Sequence, residues 1–367
     1  MKTSTTYSFL ALVALASANP RWHSKSQSYG AETGKSYAPS RTYSYQPSYT
    51  GDATGAQGTG SPSNYGASGT GSSPGPISTG GSSAPGNETV SSGGISLPAG
   101  CATKNGVGIG WLPDSDKGVP LNAITSTLNN EKPCFVGYYA QITSSSWDGS
   151  QLTGKIEEAK AGGAPYPIFV ASVMPYIPMS EVPNAAGSIT TVMKKLTDAG
   201  FTVWLRFAHE MNWYDSAAAG YVYPQSSVAD YQKAWAAVSQ AVASNPNVKM
   251  FWSPNSATAA DLKNAGWYPT SGAVDVIGVD IYPKGQKSFS DVYQSFCSGW
   301  DVPFAIGETG IGPASADKTY WLQQLTSTDA KAACPNYIGF SYFEYDKEED
   351  FRVATDGHTE AVGVLKG

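Results

Sequence analysis

Eight short apolar runs recur along the chain, at 107–112, 134–139, 167–173, 202–208, 249–253, 274–279, 303–307 and 337–342. Each is followed by a longer segment of mixed polarity. Runs of this length without polar alternation read as strands buried on both faces. Two of the intervening segments, 188–199 and 228–243, place apolar residues three and four apart, the period of an amphipathic helix. Strand and helix alternating eight times predict parallel strands joined by crossover helices. The fold expected is therefore a (β/α)8 TIM barrel over residues 98–367, a block of about the ~250 residues such barrels occupy. An open, doubly wound sheet would carry a glycine-rich phosphate turn after its first strand. Here Gly106, Gly108 and Gly110 fall inside the first strand rather than opening a helix, and they read as close packing.

The residues before the barrel carry no such pattern. Lys2, the apolar run Phe9 to Leu15 and the small residues Ala16-Ser17-Ala18 make a secretory signal peptide over 1–18. That run is well short of the ~20 residues of a spanning helix, so a secreted, extracellular protein without a membrane span is expected. From 19 to 97 the chain is Ser, Gly, Thr, Pro and Tyr with almost no aliphatic residue. Such a segment cannot bury enough apolar surface to offset its ordering entropy, and it reads as a disordered stalk. The stalk tethers the protein, for example to a cell wall, or acts as an inert spacer. Asn87-Glu88-Thr89 is an N-glycosylation sequon within it.

Secretion also frames the four cysteines, Cys101, Cys134, Cys297 and Cys334, as two disulfides. Three pairings are open; Cys101–Cys134 with Cys297–Cys334 is favoured because it closes the two short loops. The absence of C-x-x-C spacing and the distance of the histidines from the cysteines argue against a metal site. A formal net charge of −6 without a basic stripe speaks against a nucleic-acid partner. The chain is expected to act as a monomer without cofactor or metal.

In a β/α barrel the active site lies at the C-terminal ends of the strands. Those ends carry Trp111, Tyr138-Tyr139, Met174 to Tyr176, then His209, Glu210 and Asn212. After these come Trp252 and Asn255, Asp280 and Tyr282, Glu308, and finally Tyr342 to Glu344 with Asp346. Acids and amides among Trp and Tyr describe a sugar-binding cleft. A glutamate at a strand end is often only a solvated charge, but Arg206 lies inside the same strand as Glu210. A buried Arg needs a carboxylate partner, and Glu308 is the candidate. Glu210 and Glu308, on the fourth and seventh strands across the barrel, have the makings of the close carboxylate pair of a retaining glycosidase. Glu308, beside a cation, would stay ionised and attack the anomeric carbon. Glu210, beside His209 and aromatic walls, would donate a proton and then act as base. Tyr282 would either hold the nucleophile's free oxygen or merely pack at the rim. Trp111, His209, Asn212, Trp252 and Phe343 are the further candidate sugar ligands, with Arg206 beside them.

Four motifs in order carry a family likeness: Arg206-Phe207-Ala208-His209-Glu210-Met211-Asn212, Trp252-Ser253-Pro254-Asn255, Val274 to Tyr282, and Ile306-Gly307-Glu308-Thr309-Gly310. Together they resemble glycoside hydrolase family 26, β-mannanases and related β-glucanases with retaining chemistry. The resemblance implies Glu210 as acid/base and Glu308 as nucleophile, with His209, Tyr282 and Trp252 around the cleaved sugar. It implies an endo-β-glycanase acting on the polysaccharide β-mannan or a related β-glucan. After Asn212 the chain departs from many mannanases, with Trp213-Tyr214-Asp215 and then alanines, and Phe343 stands where a barrel-end Trp is common. A catalytically silent wall protein or lectin on the same barrel is the competing reading. The stalk composition favours it, and the retention of Glu210, Glu308 and Arg206 opposes it. A metal-dependent hydrolase is disfavoured because no His/Asp cluster has ligand spacing.

Overall fold

A computed structural model describes residues 91–92, 94–312 and 317–366. The signal peptide, most of the stalk and the Asn87 sequon lie outside the described residues. Eight parallel strands follow one another around the sheet: β1 (Val107–Pro113), β2 (Phe135–Ile142), β3 (Ile168–Pro175) and β4 (Val203–Phe207) come first. Then come β5 (Val248–Trp252), β6 (Val276–Ile277), β7 (Phe304–Thr309) and β8 (Tyr337–Glu344). The order is sequential, and β8 pairs in parallel with β1, Gly339 opposite Gly108 through Glu344 opposite Pro113, so the sheet closes on itself. A short strand, Thr103–Lys104, adds antiparallel to the outer end of β1. This is the (β/α)8 barrel that the apolar runs predict.

The predicted helix at 188–199 begins earlier, as Val182–Asp198. Its first turn, Val182-Pro183-Asn184, has a turn-like composition, yet proline is at home there because that N–H has no helical acceptor. The helix Val228–Val242 has the expected start, capped by the Ser227 hydroxyl accepting from Asp230 N.

Side chains alternate between barrel interior and helix layer. At the N-terminal end the interior is plugged by Phe135, Ile168, Trp204, Phe251 and Val276, with Ile95 and Leu97 closing it from below. The strand-one glycines belong to this plug: a Cβ on Gly110 would stand 2.5 Å from Cβ of Phe135. Gly108 and Gly110 are packing residues, as their place inside the strand suggests, whereas Gly106 lies in the turn before β1 with a φ of 74° and open space around it, so for Gly106 the packing reading fails. Both disulfides form as favoured, Cys101–Cys134 and Cys297–Cys334. Among the described residues no helix is long and apolar enough to cross a membrane.

Candidate active site

Above the plug the interior turns polar. Along β4, Trp204 faces the plug while Arg206 occupies the next inward position, fully buried. Its Nη1 donates to Glu308 Oε1 at 2.9 Å and to Ser172 Oγ at 3.0 Å, and its Nη2 donates to Asp280. One guanidinium thus serves two buried carboxylates. Ser253 donates its hydroxyl to the other oxygen of Asp280 at 2.7 Å. Gly307 makes this arrangement fit, since a Cβ there would lie 2.2 Å from Ser253 Oγ and 2.5 Å from Asp280 Oδ1.

Beyond β4 the backbone takes an unusual path. Ala208 and Glu210 hold positive φ values of 49° and 53°, the left-handed region that residues with a Cβ rarely adopt. Neighbours on both sides fix the corner. Ala208 N donates to Val173 O at 2.9 Å, Glu210 N donates to Ser253 O at 2.8 Å, and the buried Tyr223 hydroxyl donates to His209 O at 2.7 Å. Such strain persists where surrounding structure enforces it, and here it brings consecutive residues, His209 and Glu210, to the barrel mouth.

Glu308 is the most heavily hydrogen-bonded carboxylate of this group. Besides Arg206, Tyr139 donates to Oε1 and Tyr282 to Oε2, each at 2.6 Å. Burial alone would raise its carboxyl, but the Arg206 charge, then the neighbouring His209 and the two phenols, outweigh it and bring the pKa down to about 2. His209 Nε2 lies 3.8 Å from Oε1. Burial, then the Arg206 charge, holds the imidazole well below its usual pKa, so it faces Glu308 as a neutral group. Glu210 goes the other way. Burial first and the Glu308 charge second raise it to about 8, against the opposing pull of Arg206 and the Asn255 amide. Two carboxyls in one mouth therefore have environments that separate them, one ionised and one protonated at neutral pH.

Single ligand atoms of His209, Asp280 and Glu308 lie within 4.8 Å of one another, a grouping able to hold a cation. The Arg206 guanidinium already occupies that role between the two carboxylates, so this donor set does not fit a metal ion.

The candidate sugar ligands divide. His209 and Tyr282 stand at Glu308, and His209 Nδ1 is buried without a hydrogen-bond partner. Four others have different employment. Trp252 is fully buried, points into the helix layer against Tyr268 and Trp300, and donates Nε1 to Trp267 O at 3.1 Å. Trp111 likewise faces outward, edge-on to Tyr342 and only 1% exposed. Asn212 spends its whole amide on Asn255, donating to its carbonyl at 3.1 Å and accepting from its N–H at 2.8 Å. Phe343 is covered by Tyr345, stacked at 4.1 Å, and backs the Tyr282 ring. Arg206 is sealed beneath Glu308 and acts through it. Glu344 is a loop anchor, its carboxylate accepting from the N–H groups of Val353, Ala354 and Thr355 at 2.9–3.0 Å. The contact missed from sequence is that of Tyr139; its place at the end of β2 is the signal that could have found it.

Over residues 181–324 the chain matches the family model described as Glycosyl hydrolase family 26. The chain is a glycoside hydrolase, similar over that span to family 26. The resemblance carried by the four motifs thus holds, and the matched span includes both glutamates, Arg206 and Tyr282 of this hydrolase. No curated protein matches the sequence. Three solved structures are reported as similar to the chain. A GH26 β-mannanase from Bacteroides ovatus is 17% identical over 72% of this chain and 87% of that one, with a TM-score of 0.48. The GH26-CBM35 β-(1,4)-mannanase of Podospora anserina is 16% identical over 71% and 60% of the two chains, with a TM-score of 0.45. A protein named GH26C from Muricauda sp. is 13% identical over 72% and 86%, with a TM-score of 0.46.

Proposed function

We propose that this chain is a secreted, retaining endo-β-glycanase that hydrolyses β-mannan or a related β-glucan by double displacement. The observation that carries this reading is the opposite tuning of the two buried glutamates. Glu308, held ionised, attacks the anomeric carbon. Glu210, held protonated, donates its proton to the leaving oxygen, then takes a proton from the water that releases the glycosyl-enzyme ester. Glu210 loses the repulsion of Glu308 once that carboxylate becomes an ester, so its pKa falls and it becomes competent as a base. Arg206 and Asp280 hold Glu308 in place, and His209 Nε2 stands 3.8 Å from its Oε1. The choice of β-mannan follows the family likeness, whose members with solved structures include β-mannanases. Secretion rests on the signal-peptide pattern at 1–18 and agrees with two disulfides.

The test is an assay of the secreted protein on mannans, mixed-linkage and β-1,3-glucans and xylans, beside Glu210→Ala and Glu308→Ala, with product anomers followed by NMR. Turnover with retained configuration, abolished in Glu308→Ala, is expected. No turnover of any glycan would leave the silent wall-protein reading in possession. Inverted product would refute double displacement.

A further inference from the structure

Which oxygen of Glu308 attacks is a question the hydrogen bonds answer. A carboxylate oxygen has two lone-pair directions in its plane. Oε1 already accepts twice, from Tyr139 at 2.6 Å and from Arg206 at 2.9 Å. Oε2 accepts once, from Tyr282 at 2.6 Å. We propose that Tyr139 is a positioning residue for the nucleophile, which with Arg206 saturates Oε1 and leaves Oε2 as the attacking atom. This rests on Glu308 being the nucleophile. In the step, a lone pair of Oε2 forms the bond to the anomeric carbon while the bond to the leaving oxygen breaks. The electron pair stays on that oxygen, which takes the proton of Glu210.

The geometry gives Tyr139 little choice of partner. It lies on β2 with its ring 5.6 Å from that of His209 and 6.3 Å from that of Tyr345, a wedge that aims its hydroxyl across the mouth at β7. Burial, then the Glu308 charge, raises its own pKa far out of the physiological range, so it serves as a neutral donor. Tyr139 and Tyr282 therefore grip opposite oxygens, fixing the carboxylate plane, while Arg206 anchors it from below. The remaining groups around Glu308 are His209, Glu210 and Tyr214 from the β4 side, Asp280 from β6 and Tyr345 beyond β8.

The test titrates the Glu308 carboxyl of the full chain by NMR with 13C-labelled glutamate, the signal assigned through Glu308→Gln. Wild type is compared with Tyr139→Phe and with Tyr345→Phe, which removes a phenol from the same ring cluster without touching Glu308. Loss of one charge-assisted hydrogen bond should raise the Glu308 pKa by about one to two pH units in Tyr139→Phe and leave it unmoved in Tyr345→Phe. The kcat of Tyr139→Phe should fall by about ten- to a hundredfold with KM little changed. A folded Tyr139→Phe protein with Glu308 at its wild-type pKa would overturn the proposal, whatever its activity, because a packing defect alone does not move a carboxyl. A wild type inert on every glycan, with Glu308 still raised in Tyr139→Phe, would overturn the attack and the hydrolase reading together while leaving the hydrogen bond standing.

Discussion

Arg206 Nη1 stands 2.9 Å from Glu308 Oε1, with the arginine side chain fully buried and the glutamate nearly so. The contact spans 102 positions of sequence, from the middle of β4 to the end of β7. It joins the stability of the barrel to the charge of its active site. An arginine sealed in a barrel interior is costly alone, and a carboxylate there needs a cation to remain ionised; each meets the other's requirement.

Replacing Arg206 by leucine should therefore remove both properties. Asp280 and Glu308 would be left buried without their cation, at a cost of about 3–5 kcal/mol. Calorimetry should show a clear drop in Tm and assays should show no measurable turnover. Arg206→Lys keeps the charge but cannot serve two carboxylates in one plane, so it should retain more stability than activity. A leucine variant with wild-type Tm would contradict the pairing.

Gly307→Ala tests the same assembly from the other side. The added methyl would stand 2.2 Å from Ser253 Oγ and 2.5 Å from Asp280 Oδ1, with Arg206 Nε at 3.1 Å. Asp280 must give way, and the guanidinium with it. A loss of about 1–3 kcal/mol in stability is expected from overpacking, with kcat falling more steeply than that figure alone suggests because Glu308 sits next in sequence. An alanine variant of unchanged kcat would show that this pair does not hold the nucleophile.

Asn212→Ala separates positioning from binding. Its amide bonds only the main chain of Asn255, so it joins the end of β4 to the end of β5 beside Glu210. Truncation should lower stability by about 1–2 kcal/mol and reduce kcat by about tenfold, with KM nearly constant. A rise in KM without loss of kcat would instead make Asn212 a ligand of the sugar.

All eight strands were legible because parallel strands buried on both faces read as unbroken apolar runs. The two glutamates were legible for a related reason: a strand delivers its charge at its C-terminal end, where the run stops. What the strand ends did not disclose was direction. Trp252 and Trp111 sit at that height like sugar platforms, yet they follow Phe251 and Gly110, which face the interior, and alternation turns them outward. Tyr139 follows the opposite logic, two positions on from the inward Gly137, and so it reaches Glu308. Its partner lies 169 positions away, a pairing that periodicity along one strand cannot supply. The start of the helix Val182–Asp198 was hidden by proline and asparagine, which suit a turn as well as a first helical turn.

Glu210 is raised from an ordinary value of 4.5 to about 8 by burial and by the Glu308 charge. A carboxyl whose folded pKa lies above its unfolded one binds its proton more tightly when folded, so stability declines as pH rises through that interval. Glu308, lowered to about 2, has the reverse effect, adding stability that is present above its unfolded pKa and lost as pH falls toward 2. Of these two glutamates only Glu210 changes its contribution between pH 5 and 8; the trend from His209, lowered by burial, is common to wild type and variant. Glu210→Gln, which cannot ionise, should consequently be more stable than wild type by on the order of 2 kcal/mol at pH 7, with the difference fading toward pH 4.5. Thermal unfolding of both proteins from pH 4.5 to 8 measures this directly. The same ionisation should cause kcat/KM of the wild type to fall above about pH 8. Equal stability of the two proteins across that range would mean that Glu210 is not held protonated by the fold, and its role as the acid would have to be given up.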